Sequence, residues 1–373
     1  MKILVTSNVY FPLLNSGAVG GIEKYASDMY KLLTSEGHSV FLLCSKDSEI
    51  IGDTVIHGDF SKEYIVKNNL GSRYSTGETQ SAIEHLSKSH KFDLVIDNFT
   101  NLPLNKKIAS SFNCSIIKMT HVILYFRNSY DYQKSLLDIA RSRNNYHVLA
   151  VSEFCKNSIN AVLPDAISGV LSPNYISVGD FQLLNTPSYY VYVGRIAPDK
   201  HVDFLVDVFK DWDEELIIIG NKQQNTGSED SWYDAKIKPW LSNTTDSQYT
   251  KNNIHYIGPM YPPDLYSIMT SSIACLNANN DESYPLSLFE SQKLGIPAIT
   301  LISNTPHGAQ EFIIEDKTGY SAYTYRKRYN SAIDAYRTAC KRARSLDRQF
   351  IHQHFQSTYT SKKYIENLLE YIK

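Results

Sequence analysis

An α/β protein of two successive doubly wound parallel sheets is what the sequence predicts, on three observations. Short, wholly apolar runs of the buried-strand kind alternate with amphipathic helical stretches, the pattern of parallel sheets joined by crossover helices. After Pro173-Asn174 the alternation gives way to a polar stretch reaching Pro187, then restarts at Tyr189–Val193, which marks a linker between two halves. A chain of 373 residues also exceeds what one ordinary core encloses.

In the first half Lys2–Ser7 reads as a buried strand, followed by the loop Asn8–Gly21 and an amphipathic helix, Ile22–Glu36, closed by Gly37. Further strands are expected at Val40–Cys44, Leu94–Asp97, Ser115–Met119 and His147–Val151. The second half continues with periodic segments at Phe204–Phe209, Glu215–Ile219, Ile254–Ile257, Leu265–Met269, Ile273–Leu276 and Gly319-Tyr320. A long helical segment is expected from Ser331 to about Leu346, and Ser357–Ile372 reads as one last amphipathic helix. The stretches Asp53–His90 and Asn221–Asn253 are polar, rich in Ser, Thr and Asn, and read as loops or variable helices. The expected domains are residues 1–175 and 186–354, two Rossmann-like halves with a cleft between them.

Composition narrows the class. With 42% hydrophobic residues, 20% charged residues and a formal charge of −2, the chain reads as globular and soluble, with no basic excess to bind nucleic acid. The five cysteines are scattered, without Cys-x-x-Cys spacing, and read as buried thiols in a reducing compartment. Met1–Val5 is too short an apolar run for a signal peptide, and no stretch approaches the ~20 apolar residues of a membrane span. A cytoplasmic protein is expected.

The chemistry concentrates at Asn280–Gly295, a strand exit, a loop and a helix. Pro285 suits the first helical position, because its missing N–H would be unpaired there. The amides of Leu286, Ser287 and Leu288 then have no intrahelical acceptor, and the helix dipole adds partial positive charge, so an anion belongs at that start. Glu282 and Glu290 flank it; eight residues span roughly 12 Å if helical, so the two acids grip different parts of an elongated ligand. A sugar nucleotide has that form, and carboxylates accept charge-assisted hydrogen bonds from sugar hydroxyls. Arg195 and Lys200, just past Tyr189–Val193, place two cations at the carboxyl edge of the same sheet, where phosphate can be held. Gly17, Gly20 and Gly21 lie between the first strand and helix, where backbone amides can approach a phosphate or sugar; a plain turn is the alternative. Glu23 follows as a first-turn carboxylate set against the dipole. His121, in KMTHVILYF, follows a strand of the first half, and Asp97 and Asn98 end another in VIDNFT. The Asp211-Trp212-Asp213 triplet has metal-site letters but reads as a helix-to-strand turn at a strand's amino end, and no metal site is assigned.

Glu282 and Glu290 with seven residues between them, followed by Gly295-Ile296-Pro297 and a strand, resemble the Glu-x7-Glu signature of retaining family 4 glycosyltransferases of the GT-B fold. Val193-Gly194-Arg195 with Lys200 is similar to the Gly-Arg…Lys of that family, and Gly20-Gly21 to its Gly-Gly loop. Ser152, Glu153 and Asn174 match family landmarks, although Tyr175 stands where Gly is usual and Tyr284-Pro285 replaces Phe-Gly, so sugar specificity cannot be carried over.

The resemblance implies a metal-independent enzyme with no cofactor, whose nucleotide-diphosphate sugar is a substrate. Glu282, His121, Arg195 and Lys200 are the implied catalytic set. Donor binding would fall to Gly20, Gly21, Arg195, Lys200, Tyr284, Pro285, Leu286, Ser287 and Glu290, and acceptor binding to Asp97, Asn98 and His121. The acceptor would be a hydroxyl of a glycan or lipid-linked saccharide, in surface polysaccharide (lipopolysaccharide or capsule) assembly. Peripheral contact with the inner membrane would be weak, for want of a dense basic run. The resemblance also implies that the tail, about residues 355–373, packs back on the first half. A GT-B epimerase or phosphorylase, or a non-catalytic glycan- or nucleotide-binding subunit, are the alternative readings.

Overall fold

Apolar runs of four to six residues flanked by amphipathic helices fold here into two separate parallel sheets, each with one helix-covered core. The computed structural model describes residues 1–7, 12–14, 17–18, 20–50, 52–58, 72–98, 106–121, 134, 137–138, 141, 145–173, 178, 182, 187–222, 227–242, 253–279, 282–302, 307–324 and 328–372. It divides into a first unit, Met1–Ser177 with Tyr359–Lys373, and a second, Val178–Thr358.

The first unit holds β1 (Lys2–Thr6), β2 (Ser39–Cys44), β3 (Val55–His57), β4 (Leu94–Asp97), β5 (Ser115–Thr120), β6 (Tyr146–Ala150) and β7 (Gly169–Val170). They are ordered β3-β2-β1-β4-β5-β6-β7, all parallel. Between them run α1 (Gly21–Ser35), α2 (Ser72–Ser89), α3 (Lys106–Ser111) and α4 (Glu153–Asn160). Ser152 accepts from the Cys155 amide at 3.0 Å and caps α4.

The second unit repeats the plan with β8 (Tyr189–Val193), β9 (Glu215–Ile219), β10 (Ile254–Gly258), β11 (Ser272–Asn277), β12 (Ala298–Ile302) and β13 (Gly319–Tyr323), ordered β10-β9-β8-β11-β12-β13 and all parallel. Its helices are α5 (Val202–Phe209), α6 (Gly227–Lys236), α7 (Asp264–Thr270), α8 (Leu286–Lys293), α9 (Tyr329–Ala343) and α10 (Arg348–Thr358). The last helix, α11 (Ser361–Leu369), returns to the first unit, where the Tyr364 and Tyr25 hydroxyls meet at 3.1 Å.

Both sheets carry the strand order 3-2-1-4-5-6 of a Rossmann fold, so each has a switch point where successive crossovers diverge to opposite sides: β1/β4 in the first, β8/β11 in the second. Ligands of such sheets gather at the strands' carboxyl ends beside that point.

The structure corrects two sequence expectations. The helix expected over Ser357–Ile372 starts later, as α11 at Ser361, because Thr360 is extended and caps it through the Lys363 amide at 3.2 Å; Ser357 and Thr358 instead end α10, which occupies the stretch after Leu346 that the sequence reading left unassigned. The start of α10 is fixed by Asp347, which accepts from the amides of Gln349 and Phe350 at 2.9 and 3.0 Å. Of the polar stretches read as loops or variable helices, Asp53–His90 holds the helix α2 but also a strand, β3, which was not expected, and Asn221–Asn253 holds the helix α6. Trp212 of the Asp-Trp-Asp triplet lies in the turn between α5 and β9 and stacks on Tyr190, with ring centroids 5.8 Å apart. All five cysteines are buried thiols. Asn174, Tyr175 and the tyrosines at 125–132 lie outside the described residues.

Candidate active site

The second unit's switch point brings together residues from three separate segments. After β8, the chain passes through Gly194 and Arg195 into a 3-10 turn, Pro198–Lys200, which delivers the Lys200 side chain. After β11 it passes Ala278 and Asn279 to Glu282. Lys200 and Glu282, 82 residues apart, form an ion pair in which the ammonium meets Glu282 Oε1. Asn279 Nδ2 donates to the same oxygen at 2.8 Å. Burial pushes the Glu282 carboxyl up, but the Lys200 charge and hydrogen bond and the Asn279 amide outweigh it, so the net displacement is downward and the group is ionised. Its side chain keeps 17% of its surface exposed, and among the described residues Oε2 takes no hydrogen bond.

The backbone of Glu282 is held from a third segment. The Gly308 amide donates to Glu282 O at 2.9 Å, and a Cβ on Gly308 would fall 1.9 Å from Ser283 O, so only glycine permits this approach. Arg195 pairs with Asp199 at 2.7 Å, both about half-exposed. Tyr192 ties this region together: its hydroxyl donates to Arg195 O at 2.8 Å. Burial first, then the charge of Glu282, drives the Tyr192 phenol's pKa upward, against the opposing pull of Arg195. Lys200 and Glu282 thus meet at the carboxyl end of the sheet, with Arg195 in the same loop as Lys200.

The helix start differs in one position from the sequence reading. Pro285 is the residue before α8, with φ −75° and ψ 93°, rather than its first helical residue; extended backbone suits a cap, and Leu286 opens the helix. The first backbone bond of α8 runs from the Phe289 amide to Pro285 O at 3.1 Å. The amides of Leu286, Ser287 and Leu288 consequently have no acceptor among the described residues, as the open first turn requires. Tyr284 packs its ring on Phe289 and Phe312, 5.4 and 5.3 Å between centroids. Glu290, 5% exposed, accepts from the Tyr266 hydroxyl at 2.8 Å. It and Glu282 have different partners, so the two acids serve separate positions.

In the first unit, the switch point is packed shut. Asp97 and Lys118 are fully buried and paired at 3.2 Å, and the Thr6 hydroxyl donates to Asp97 Oδ1 at 3.2 Å. Asn98, also buried, donates its backbone amide to Thr6 Oγ1 at 3.1 Å and its Nδ2 to Thr6 O at 3.1 Å. Its carbonyl oxygen therefore faces His121 Nε2 at 3.1 Å, which places the imidazole proton on Nε2. This is a correction for Asp97 and Asn98: neither has exposed surface to offer an acceptor, Asp97 being paired with Lys118 and Asn98 hydrogen-bonded to His121. His121 packs edge-on against Tyr25, centroids 4.8 Å apart. Burial, then the Lys118 charge, pulls its pKa down to about 3, so it is a neutral imidazole.

Gly20 and Gly21 stand at the start of α1 as expected, Gly20 in extended backbone as the cap. Glu23 is a second correction. It is 3% exposed, its Oε2 would lie 2.3 Å from a Cβ on Gly20, and burial pushes its pKa up to about 7. A carboxyl that is half protonated near neutrality gives little of the dipole stabilisation assigned to it.

Sequence reasoning missed Asn279, Tyr192, His307, Gly308 and Lys118. Asn277 and Asn279, two polar residues at period two closing an apolar strand, were the available signal for the first. Nothing in the spacing of His307-Gly308 ties them to Glu282. Among the described residues no cluster of three His, Cys, Asp or Glu side chains could hold a metal ion, and no helix is long and apolar enough to cross a membrane.

Residues 179–349 match the family model for glycosyl transferases group 1. No relative among the curated proteins matches the chain. Among solved structures, sucrose-phosphate synthase from Thermosynechococcus elongatus is similar at 15% identity and TM-score 0.73, covering 99% of this chain and 98% of that one. HepE from Anabaena, solved with UDP and glucose, is similar at 12% identity and TM-score 0.69, covering 99% and 98%. WaaG, a glycosyltransferase involved in lipopolysaccharide biosynthesis, is similar at 13% identity and TM-score 0.65, covering all of both chains. Identities this low establish the shared fold, which is GT-B.

Proposed function

For a chain that carries a glycosyl transferases group 1 domain over residues 179–349 and is on that ground a glycosyltransferase, we propose a retaining reaction. It moves a sugar from a nucleotide diphosphate to a hydroxyl of a glycan or lipid-linked saccharide, without a metal. The observation that carries this reading is the Glu282 carboxylate. Lys200 and Asn279 hold one of its oxygens, and the other takes no hydrogen bond from the described residues, in the loop that leads into the open amides of α8. A donor's diphosphate fits the amides of Leu286, Ser287 and Leu288 with Lys200 and Arg195, and its sugar hydroxyls fit Glu282 Oε2. Glu290 is the candidate for the ribose, by exchange of its Tyr266 bond.

As the bond from the sugar's anomeric carbon to the diphosphate oxygen breaks, charge collects on that oxygen, where Lys200, Arg195 and the helix start stabilise it. The acceptor oxygen bonds to the same face of that carbon, and its proton passes to the departing phosphate, so no protein nucleophile is required. His121, being neutral, serves as a hydrogen-bonding group and not as an acid. The similarity to HepE with UDP and glucose and to WaaG supports a nucleotide-sugar donor and a role in surface polysaccharide assembly, at the cytoplasmic side with weak membrane contact.

The test supplies UDP-glucose, GDP-mannose and ADP-glucose to the full chain with and without saccharide acceptors, in the presence of a chelator. Release of the nucleoside diphosphate only when an acceptor is present, with the anomeric configuration kept by NMR, is the expected result. Glu282→Ala should abolish it with the melting temperature unchanged; wild-type turnover in that variant would remove Glu282 from the mechanism.

A further inference from the structure

We propose that Asn279 is the positioning residue that orients Glu282 and so decides which carboxylate oxygen, Oε2, is offered to the donor sugar. The inference rests on the donor reading above and deepens it. Two donors address Glu282, and both take Oε1. Lys200 cannot set the plane of the carboxylate by itself, because an ammonium on a flexible four-carbon stem acts as a point charge. The Asn279 amide is planar, and it is fixed. It is 7% exposed, and its own backbone amide donates to Asn277 Oδ1 at 3.1 Å.

That oxygen begins a buried chain of hydrogen bonds. The Thr300 hydroxyl donates to Asn277 Oδ1 at 3.4 Å and lies 2.9 Å from His307 Nε2. The Ala309 amide donates to His307 Nδ1 at 3.3 Å, so the imidazole proton sits on Nε2, which also reaches Leu301 O at 3.0 Å. The next residue, Gly308, donates its amide to Glu282 O at 2.9 Å. The Tyr336 hydroxyl clamps Asn277 O at 2.9 Å. Glu282 is therefore gripped twice by one network, at its side chain through Asn279 and at its backbone through Gly308, and of its carboxylate oxygens only Oε2 takes no hydrogen bond among the described residues. Buried networks satisfied in this way hold a single geometry.

The proposal separates sugar recognition from diphosphate recognition, and the experiment uses that. Calorimetric titration of the full chain with UDP-glucose, GDP-mannose and ADP-glucose, each beside its bare diphosphate, identifies the pair in which the sugar adds affinity. Asn279→Ala should lose that added affinity by about tenfold while the bare diphosphate binds within about twofold of wild type. The acid limb of its kcat/KM profile should move upward by about one pH unit, because Glu282 loses a donor that favours its ionised form. Asn279→Ser, which keeps a short donor, should recover part of both effects and carries the test if the alanine variant does not fold. Should Asn279→Ala keep the sugar preference and the pH profile while Glu282→Ala loses the preference, the positioning role is wrong and the donor reading stands. A wild-type chain that gains nothing from the sugar in any pair overturns the donor reading, and this inference with it.

Discussion

The two units share one strand order and place charged side chains at the same topological point, yet they treat them in opposite ways. At the first switch point, Asp97 and Lys118 are wholly enclosed and turned on each other, with Thr6 and Asn98 filling the remaining polar positions. At the second, Lys200 and Glu282 keep about a fifth of their side-chain surface exposed, and Arg195 nearly half. The contrast teaches that a charged residue at a sheet's carboxyl edge is not thereby a ligand group. What separates the two is whether the pair is closed: a sealed pair holds the fold, while a pair with an unused oxygen has something to give a ligand.

Breaking the sealed pair should produce the largest effect. Lys118→Ala strands the Asp97 carboxylate in a site with no solvent access, and such losses cost about 3–5 kcal/mol. Chemical denaturation would show this as a lower midpoint. Substitution of both partners by apolar residues of similar volume, Lys118→Met with Asp97→Leu, should restore most of the stability, because the penalty lies in the orphaned charge. A single variant as stable as wild type would mean that the first switch point admits water and is no different from the second.

Breaking the open pair should reverse the balance between stability and activity. Lys200→Ala removes an ion pair whose carboxylate still reaches solvent and keeps the Asn279 hydrogen bond, so its effect on folding should be about 1 kcal/mol, well below that of the sealed pair. Loss of a preorganised cation at the leaving group should cost about 2–4 kcal/mol in the transition state, read as kcat/KM. A variant that loses stability but keeps turnover would place Lys200 with Lys118 as a structural cation.

How much of this was legible in the sequence follows the same division. The central strands of both sheets were readable because each is a short apolar run, whereas the short edge strands β3 and β7 were not; the sites were readable where a single segment carries its own signal, as in Glu282, Pro285 and the helix start. Whatever depends on closure was not. Asp97 and Glu282 are both acids just past apolar strands, and nothing local says that Lys118 seals one while the other keeps an oxygen unused. Gly308 acts on Glu282 through a backbone contact 26 residues away, which leaves no period or composition to find. The start of α10 was missed for the opposite reason: Asp347 is a local cap, overlooked in the stretch between Leu346 and Ser357 to which no element was assigned.

A titration sharpens the comparison further, because the first unit holds a second enclosed acid. The folded pKa of Glu23 is raised from 4.5 to about 7, so folding favours its protonated form. The stability this group permits is fully present below pH 4.5 and is lost as pH rises toward and through 7. The full loss is about 3 kcal/mol at most. Glu23→Gln should remove that slope, making the chain more stable than wild type at pH 8 and little different at pH 4.5. Unfolding curves at the two values test it, and equal slopes for the two proteins would show that the carboxyl reaches water.

The smallest effect expected is also the one that asks most directly what an open cation does. Arg195 is paired with Asp199 four residues on, both groups about half-exposed, and exposed pairs of this kind add about 0–1 kcal/mol to stability. Asp199→Asn should therefore leave the melting temperature almost unmoved. It should, however, release the guanidinium from a competing carboxylate, and a freed fork binds phosphate oxygens better than a shared one. Affinity for a bare nucleoside diphosphate should rise by a few-fold and fall off more steeply with salt, since one more uncompensated charge takes part. Unchanged affinity at low salt would mean that Arg195 stays turned toward its own turn when the ligand arrives, leaving the diphosphate to Lys200 and the amides at the start of α8.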